Sequence, residues 1–331
     1  MDKVALLPTE QRNELFEQSA IQRGVFPAII EKDFWVCWVL KKLFESEELS
    51  KNLVFKGGTS LSKVYGIIDR FSEDIDLVLN WELLGYGKDE EDPWAEQPSG
   101  SQLNKFNSQF NARAARYIEE ELFLKVKDLV EMCPEVRPEI STKEQQVIEI
   151  HYPAAFTLSA LRPEVKLEIG PLASWVPSEV REIRPYSAEE FPEVFDDPVC
   201  SVITIKAERT FWEKATILHQ QAHRTTAMPK SYSRHYYDMF RLANSSVKND
   251  ALANTDLLKD VVTFKQRFYA SPWARYELAT PGTFRLLPTP DGEEELKNDY
   301  NEMQPMFFKP PPSWDDLMSG IRDLEFEINA L

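Results

Sequence analysis

Apolar residues recur along most of this chain at intervals of three or four positions, the spacing that places them on one face of a helix. In one stretch, Ile30, Phe34, Leu40 and Phe44 form such a face. Thr9 is the predicted N-cap of the first helix. The predicted helices cover residues 8–18, 29–45, 59–68, 103–130, 203–221, 234–244, 252–269, 293–303 and 312–330.

Short alternating or apolar runs predict strands, all of them before residue 200. These strands cover residues 52–55, 75–79, 146–151 and 165–169. Residues 84–101 are acidic, contain Gly and Pro, and predict an exposed loop. Because strands are confined to the first part of the chain, we predict an α+β fold with two lobes. Residues 1–200 would form the mixed lobe and residues 201–331 a mostly helical lobe.

The composition and net charge of the chain exclude some classes of function. The chain has 331 residues, of which 43% are hydrophobic, and a formal net charge of −17. This charge disfavours broad nucleic-acid binding, and DNA is not an expected partner. The stretch 201–235 is an exception, with six Lys or Arg and two Glu. The three cysteines form no metal or disulfide pattern, and no apolar run is long enough to span a membrane. Because the first residues lack a basic region and a long apolar run, we expect no signal peptide. We therefore expect a cytoplasmic protein without a membrane partner.

The candidate chemistry begins in residues 56–77, which read KGGTSLSKVYGIIDRFSEDIDL. Side chains alternate along a strand, so Ser72, Asp74 and Asp76 share one face. Two neighbouring carboxylates repel each other unless a cation lies between them, and paired oxygens suit Mg²⁺, with Mn²⁺ as a substitute. Asp74 and Asp76 are therefore the predicted metal ligands.

The glycine pair before these aspartates lies between a predicted strand and a predicted helix. Gly57 and Gly58 allow close approach of the backbone to an anion, and a helix N-terminus at Thr59 and Ser60 offers free amides. A Walker A loop is excluded, because Ser62 and Val64 occupy positions that would require Gly and Ser or Thr. The alternative is a structural turn beside an exposed acidic strand.

Together these segments resemble the first motif of the nucleotidyltransferase superfamily, and more narrowly the AbiEii/AbiGii-type nucleotidyltransferase toxins, which include the MenT group. The resemblance continues in four further segments and so extends over most of the chain. These segments are IEKDFWVCWVL at 30–40, TFWEKATILHQ at 210–220, SRHYYDMFRL at 233–242 and NDYNEMQPMFF at 298–308. It implies a nucleotidyltransferase-type mixed sheet with flanking helices, and NTP as substrate.

The resemblance also assigns roles in the helical lobe. It makes Lys214 a nucleotide-contacting lysine and Asp238 a functional acid, both contributed to the cleft. Arg234 would add a phosphate contact. Periodicity alone favours a surface lysine whose stem covers apolar residues, and the resemblance reverses that preference.

A third carboxylate is expected on a neighbouring strand, and Glu168 in VKLEIG is the candidate. Its alternative is a solvent-facing glutamate. We thus predict catalytic roles for Asp74, Asp76, Lys214, Asp238 and Glu168. We predict nucleotide contacts from Gly57, Gly58, Thr59, Ser60, Ser72, Lys214 and Arg234.

Two further features of the sequence have more than one explanation. His219 and His223 are one helical turn apart, a spacing that can bind a transition metal. Because HQQAH lacks the glutamate of the zinc-protease motif, a phosphate contact or a simple surface position is the favoured explanation. Glu31, Lys32 and Asp33 interrupt an otherwise aromatic, apolar helix with charge. Either a site or an interface would explain that interruption.

The function implied by the resemblance is that of a toxin in a toxin–antitoxin, phage-defence type system. It would transfer nucleotides to RNA, with the tRNA 3′ end as one acceptor class, and a cognate antitoxin would be its partner. Two alternatives stay open: transfer to a protein or small molecule, and a non-catalytic relative that only binds a nucleotide or a partner.

Overall fold

A computed structural model of the chain describes residues 1–87, 91–97, 99–158, 161–171 and 175–331. These residues form two compact units, and the chain crosses between them more than once. The first unit comprises Met1–Val64 and Phe71–Ile205. The second comprises Tyr65–Arg70 and Lys206–Leu331.

A seven-stranded mixed sheet organises the first unit, with strand order β3-β4-β5-β2-β1-β7-β6. Strand β2 pairs in parallel with β5, and β1 pairs in parallel with β7. Strands β1 and β2 are antiparallel to each other. The strands are β1 Leu53–Lys56, β2 Asp74–Leu79, β3 Arg137–Ile140, β4 Val147–His151, β5 Glu164–Gly170, β6 Ser178–Ile183 and β7 Cys200–Ile205.

Helices of the first unit flank this sheet and supply an aromatic core. In α3, Trp35 and Trp38 are fully buried and meet edge to face at 5.5 Å. The Trp35 ring also stacks on Tyr152 at 5.7 Å. The helices are α1 Asp2–Ala5, α2 Thr9–Arg23, α3 Pro27–Glu45, α4 Glu47–Ser50, α5 Gly57–Lys63, α6 Gly100–Tyr117, α7 Phe123–Val130 and α8 Tyr186–Glu190.

The second unit consists mostly of helices joined by loops. The indole of Trp212 is fully buried and donates to the Ala251 carbonyl at 3.2 Å. Residues 65–70 belong to this unit because Arg70 forms an antiparallel bridge with Phe307. The helices are α9 Ala207–Ala222, α10 Ser233–Ala243, α11 Val247–Ala253, α12 Thr255–Phe268, α13 Pro290–Glu302 and α14 Trp314–Asn329.

Several predicted boundaries are wrong for identifiable reasons. Thr9 is the first helical residue rather than the N-cap, which is Pro8. The helix predicted from residue 59 ends at Lys63. The one predicted over 252–269 divides at Asn254, whose side chain accepts from the Leu257 amide and caps α12.

The longest predicted helix, 103–130, is continuous except that Ile118–Leu122 is π-helical between α6 and α7. The predicted loop 84–101 includes residues 88–90 and 98, which lie outside the described residues. Among the residues that are described, no helix has the length and hydrophobicity to cross a membrane.

Candidate active site

Strand β2 carries the two predicted metal ligands. Asp74 and Asp76 are half-buried and alternate with Ile75, which is fully buried. In the parallel ladder with β5, Asp76 lies opposite Glu168, so the structure brings the third predicted carboxylate to the same face. Asp74 lies opposite Lys166, whose ammonium contacts Glu144 at 2.6 Å.

The glycine turn that begins α5 is shaped around one of these carboxylates. Gly57 has φ +81°, a conformation that L side chains rarely adopt. A Cβ at this position would lie 1.8 Å from Oδ2 of Asp76. The Asp76 carboxylate therefore packs directly on the Gly57 backbone, which explains why the turn requires glycine. Gly58 follows as the second residue of α5 and is half-buried.

Hydroxyl groups join this turn to the acidic strand. The Thr59 hydroxyl donates to the Asp74 carbonyl at 2.5 Å and lies 3.0 Å from the Ser72 hydroxyl. The Ser60 hydroxyl is buried and donates to the Gly57 carbonyl at 2.9 Å. These side chains hold the turn against β2. Their predicted contacts with nucleotide stay a prediction.

Asp74, Asp76 and Glu168 form an acidic face, in which closely spaced negative charges repel each other. Burial, together with the neighbouring charges of Glu73 and Asp76, raises the pKa of Asp74 to about 6. The ammonium groups of Lys32 and Lys166 act in the opposite direction but do not cancel the increase. A cation bound at this face would relieve the repulsion.

The donors at this face suit a hard cation. Among the described residues, no group of three or more His, Cys, Asp or Glu is arranged to hold a metal ion. Mg²⁺ does not require such a cage, because one or two carboxylates, water and substrate phosphate commonly complete its shell. Asp74 and Asp76 fit that requirement, and Glu168 would then act beside the metal rather than on it.

A buried ion cluster in the second unit contains the other predicted residues. Asp238 on α10 is fully buried and lies 2.7 Å from the Lys214 ammonium of α9. The Arg70 guanidinium donates to both oxygens of the same carboxylate, at 2.7 and 2.8 Å. Burial alone would raise the pKa of Asp238, but these two cations hold it well below its usual range.

Arg70 is the member of this cluster that the sequence analysis did not predict. It precedes the SEDIDL motif by two residues and is itself only 3% exposed. A bidentate arginine fixes both oxygens of a carboxylate, so Asp238 is held in one orientation towards Lys214. Burial lowers the pKa of Lys214, although Asp238 partly restores it. Arg234, in the first turn of α10, is exposed.

His219, the member of the histidine pair that lies in α9, is engaged within the protein. His219 Nε2 lies 3.0 Å from the Arg275 carbonyl, and its Nδ1 accepts from the Arg285 amide at 3.1 Å. Both ring nitrogens of His219 are thus committed to backbone partners, so His219 is better explained as a structural residue than as a metal ligand.

A groove of about 880 Å³ lies elsewhere on the second unit, between Lys297 and Asp315. None of the predicted site residues lines this groove.

Comparison with known families decides the classification. The profile of the AbiEii nucleotidyl transferase toxins of type IV toxin–antitoxin systems matches residues 38–320. The chain belongs to this family. The family resemblance predicted from the motifs is therefore confirmed, and membership implies a nucleotidyltransferase toxin with a cognate antitoxin.

A solved structure supports the same fold. The chain is similar to MenT4, a nucleotidyltransferase toxin from Mycobacterium tuberculosis H37Rv, with a TM-score of 0.53 and 15% sequence identity. The similarity covers 96% of this chain and 90% of MenT4. This confirms the predicted α+β, nucleotidyltransferase-like fold. Comparison with curated protein sequences gives no match.

Proposed function

We propose that this member of the AbiEii family is a metal-dependent enzyme that transfers a nucleotide from NTP to an RNA acceptor, such as the tRNA 3′ end. The observation that carries the proposal is the acidic face of β2. There, a carboxylate with a raised pKa lies beside a second carboxylate that rests on a glycine turn. Sites of this kind concentrate negative charge where a cation and a phosphate are to be bound.

In the proposed reaction, an acceptor hydroxyl attacks the α-phosphorus of NTP. A phosphorus–oxygen bond to the acceptor forms, the bond to pyrophosphate breaks, and pyrophosphate leaves. Glu168, which is half-buried opposite Asp76, is the proposed acceptor of the hydroxyl proton. Mg²⁺ held by Asp74 and Asp76 would neutralise charge on the triphosphate.

The remaining residues have supporting roles in this proposal. Gly57 and Gly58 permit close approach of the backbone to phosphate, beside Thr59, Ser60 and Ser72.

Lys214 and Arg234 are proposed phosphate contacts. Asp238 is fully buried and receives three charged hydrogen bonds, which favours a role in orienting Lys214 over one as a base.

The RNA acceptor would meet only part of the basic stretch 201–235. Arg209 is buried and paired with Glu213, so it is poorly placed for an RNA backbone, and Lys214 is proposed to contact the nucleotide instead. The remaining cations of that stretch are half-buried or exposed: Lys206, Arg224, Lys230 and Arg234. If these contact phosphates, the affinity for tRNA should fall steeply with salt, and Lys230→Ala should reduce the logarithmic salt slope by about 1. A salt-independent affinity would contradict RNA as the acceptor.

A transfer assay tests the proposal. Purified protein is incubated with Mg²⁺, total tRNA and each α-³²P-labelled NTP, and the products are separated on a denaturing gel. We expect label on tRNA and a loss of at least about 100-fold in Asp74→Asn, because metal binding supplies several kcal/mol of transition-state stabilisation. Asp256→Asn removes an acidic charge from a highly exposed side chain and is the control.

The position of the label distinguishes the alternatives. Label on protein, or on a small molecule, would retain the enzyme class but replace the RNA acceptor. Full transfer by Asp74→Asn at saturating Mg²⁺ and NTP would contradict the proposed metal site. Absence of both transfer and Mg·NTP binding would indicate a non-catalytic relative.

A further inference from the structure

Three consecutive charged residues are buried in the first half of α3. Glu31 and Lys32 are each 1% exposed, and Asp33 is 5% exposed. Successive residues of a helix point about 100° apart, so these side chains must reach three different neighbours. Burying a charge is costly unless it is paired and hydrogen-bonded. The partners of this charged triplet (Glu31, Lys32 and Asp33) therefore identify the segments of the chain that α3 holds in place.

Glu31 and Asp33 each hold a separate segment. The Glu31 carboxylate accepts from the amides of Ala155 and Phe156, at 2.9 and 3.1 Å. Asp33 pairs with Lys63 at 2.6 Å, and Lys63 is the last residue of the helix that Gly57 begins. Asp33 therefore anchors the far end of α5.

Lys32 holds the acidic strands themselves. Its ammonium lies 3.3 Å from the Glu73 carboxylate, 3.0 Å from the Arg162 carbonyl, and also contacts the carbonyl of Glu164. The same oxygen of Glu73 accepts from the Arg162 amide at 3.1 Å. Glu73 immediately precedes β2, and Glu164 is the first residue of β5. This closed set of contacts joins the starts of the two strands.

We propose that Lys32 and Glu73 are positioning residues for the acidic face, an inference that rests on the proposed function. Their contacts fix the start of β2 against the start of β5, and thereby keep Asp74 opposite Lys166 and Asp76 opposite Glu168. The family profile begins at residue 38 and assigns nothing to this part of α3.

If Lys32 acted only through its charge, Lys32→Met would change cation affinity in the opposite direction from that expected of a positioning residue. If Lys32 acted only as a nearby positive charge, Lys32→Met would remove repulsion and strengthen cation binding at Asp74 and Asp76. If Lys32 positions the strands, the same substitution weakens cation binding because the carboxylates lose their alignment. The direction of the change therefore separates the two explanations.

Lys41 provides a matched control on the same helix. It is 4% exposed and, like Lys32, contacts carboxylates and a carbonyl: Glu45 and Asp197 at 2.5 Å, and Val199 at 3.2 Å. Neither of those carboxylates belongs to β2 or β5. Lys41→Met should therefore reduce stability without changing cation affinity.

The experiment compares wild type, Lys32→Met, Glu73→Ala, the double variant and Lys41→Met. Binding of Mn²⁺ alone is measured by calorimetry, the transfer rate is measured against Mg²⁺ concentration, and stability is measured by thermal unfolding. We expect each single substitution in the Lys32–Glu73 pair to weaken Mn²⁺ binding or slow transfer by about 10- to 100-fold, the range typical of residues that orient metal ligands. Because both remove the same contact, the double variant should be no worse than the more severe single variant.

Each possible result of these measurements leads to a different conclusion. Tighter Mn²⁺ binding in Lys32→Met, or equal effects of Lys32→Met and Lys41→Met on cation affinity, would overturn the inference. If Lys32→Met does not fold, the comparison of Glu73→Ala with Glu73→Gln decides between the two explanations. Both substitutions remove the same negative charge, so a charge effect predicts equal losses of cation affinity, whereas a positioning role predicts a milder loss in Glu73→Gln, which keeps an oxygen acceptor. The Mn²⁺ measurement needs no acceptor, so a missing transfer activity would refute the proposed reaction without removing this test. Absence of Mn²⁺ binding by wild type even in the presence of NTP would overturn both the proposed function and this inference.

Discussion

Replacing Gly57 by alanine should disable the acidic face while leaving the fold intact. The new Cβ would lie 1.8 Å from Oδ2 and 2.6 Å from Cγ of Asp76, far inside van der Waals contact. Neither the backbone of β2 nor the turn can move freely, because the Thr59 hydroxyl ties them together at 2.5 Å. The carboxylate of Asp76 must therefore rotate away from its position.

The stability cost can be separated from this displacement. A residue with a Cβ at positive φ costs about 1–2 kcal/mol, which Gly57→Ala incurs at φ +81°. Gly24 has φ +71°, and nothing lies within 4 Å of the Cβ that alanine would add there. Gly24→Ala therefore incurs the backbone strain without any clash, and it is the matched control. Any loss that is found only in Gly57→Ala is attributable to Asp76.

The assay pairs chemical denaturation with transfer and Mn²⁺ binding. We expect Gly24→Ala to lose about 1–2 kcal/mol of unfolding free energy and to keep its transfer rate. Gly57→Ala should lose at least as much stability and, in addition, about 100-fold or more in transfer, since a ligand of the proposed metal is displaced. Equal activity of the two folded variants would refute the reasoning.

Three further predictions concern charged groups. Asp74→Asn should stabilise the metal-free protein by about 2–3 kcal/mol at pH 8, measured by urea unfolding. The reason is that the pKa of Asp74 is raised from 3.8 to about 6, so the ionised carboxylate of the wild type destabilises the folded state at pH values above 6. The gain should vanish below pH 4. His219 should make the protein acid-sensitive, because burial lowers its pKa from 6.5 to about 4. Its contribution, up to about 3 kcal/mol, is present above pH 6.5 and is lost as the pH falls towards 4, and His219→Gln should flatten that part of the profile. Asp238→Ala should cost about 3–5 kcal/mol of unfolding free energy, because Arg70 and Lys214 are left buried without their counter-ion. A loss below about 1 kcal/mol would show that the two cations reach other partners.

Local periodicity predicted those elements that depend on local contacts. The helix predicted over 29–45 was found as Pro27–Glu45, because its apolar face is continuous in the sequence. Strand β7 was wrongly included in a predicted helix: Ile203 and Ile205 continue the apolar spacing of α9. What makes this segment a strand is its pairing with β1, where the Thr204 hydroxyl reaches the Phe55 carbonyl 149 residues away. Strands β3 and β6 carry many exposed residues and offered no apolar run.

In the candidate site, too, only the features that depend on local sequence could be predicted. Asp74 and Asp76 could be predicted to share a face, because that depends only on alternation along one strand. The roles of Arg70 and Lys32 could not, because their partners lie far away in the sequence: Asp238 is 168 residues from Arg70, and Glu164 is 132 residues from Lys32. A charge inside an apolar pattern does indicate that a partner exists, since an unpaired buried charge costs too much free energy. Which partner it meets depends on how the sheet is assembled. Lys32 interrupts an apolar helix because its ammonium joins two strands that only the folded protein brings together.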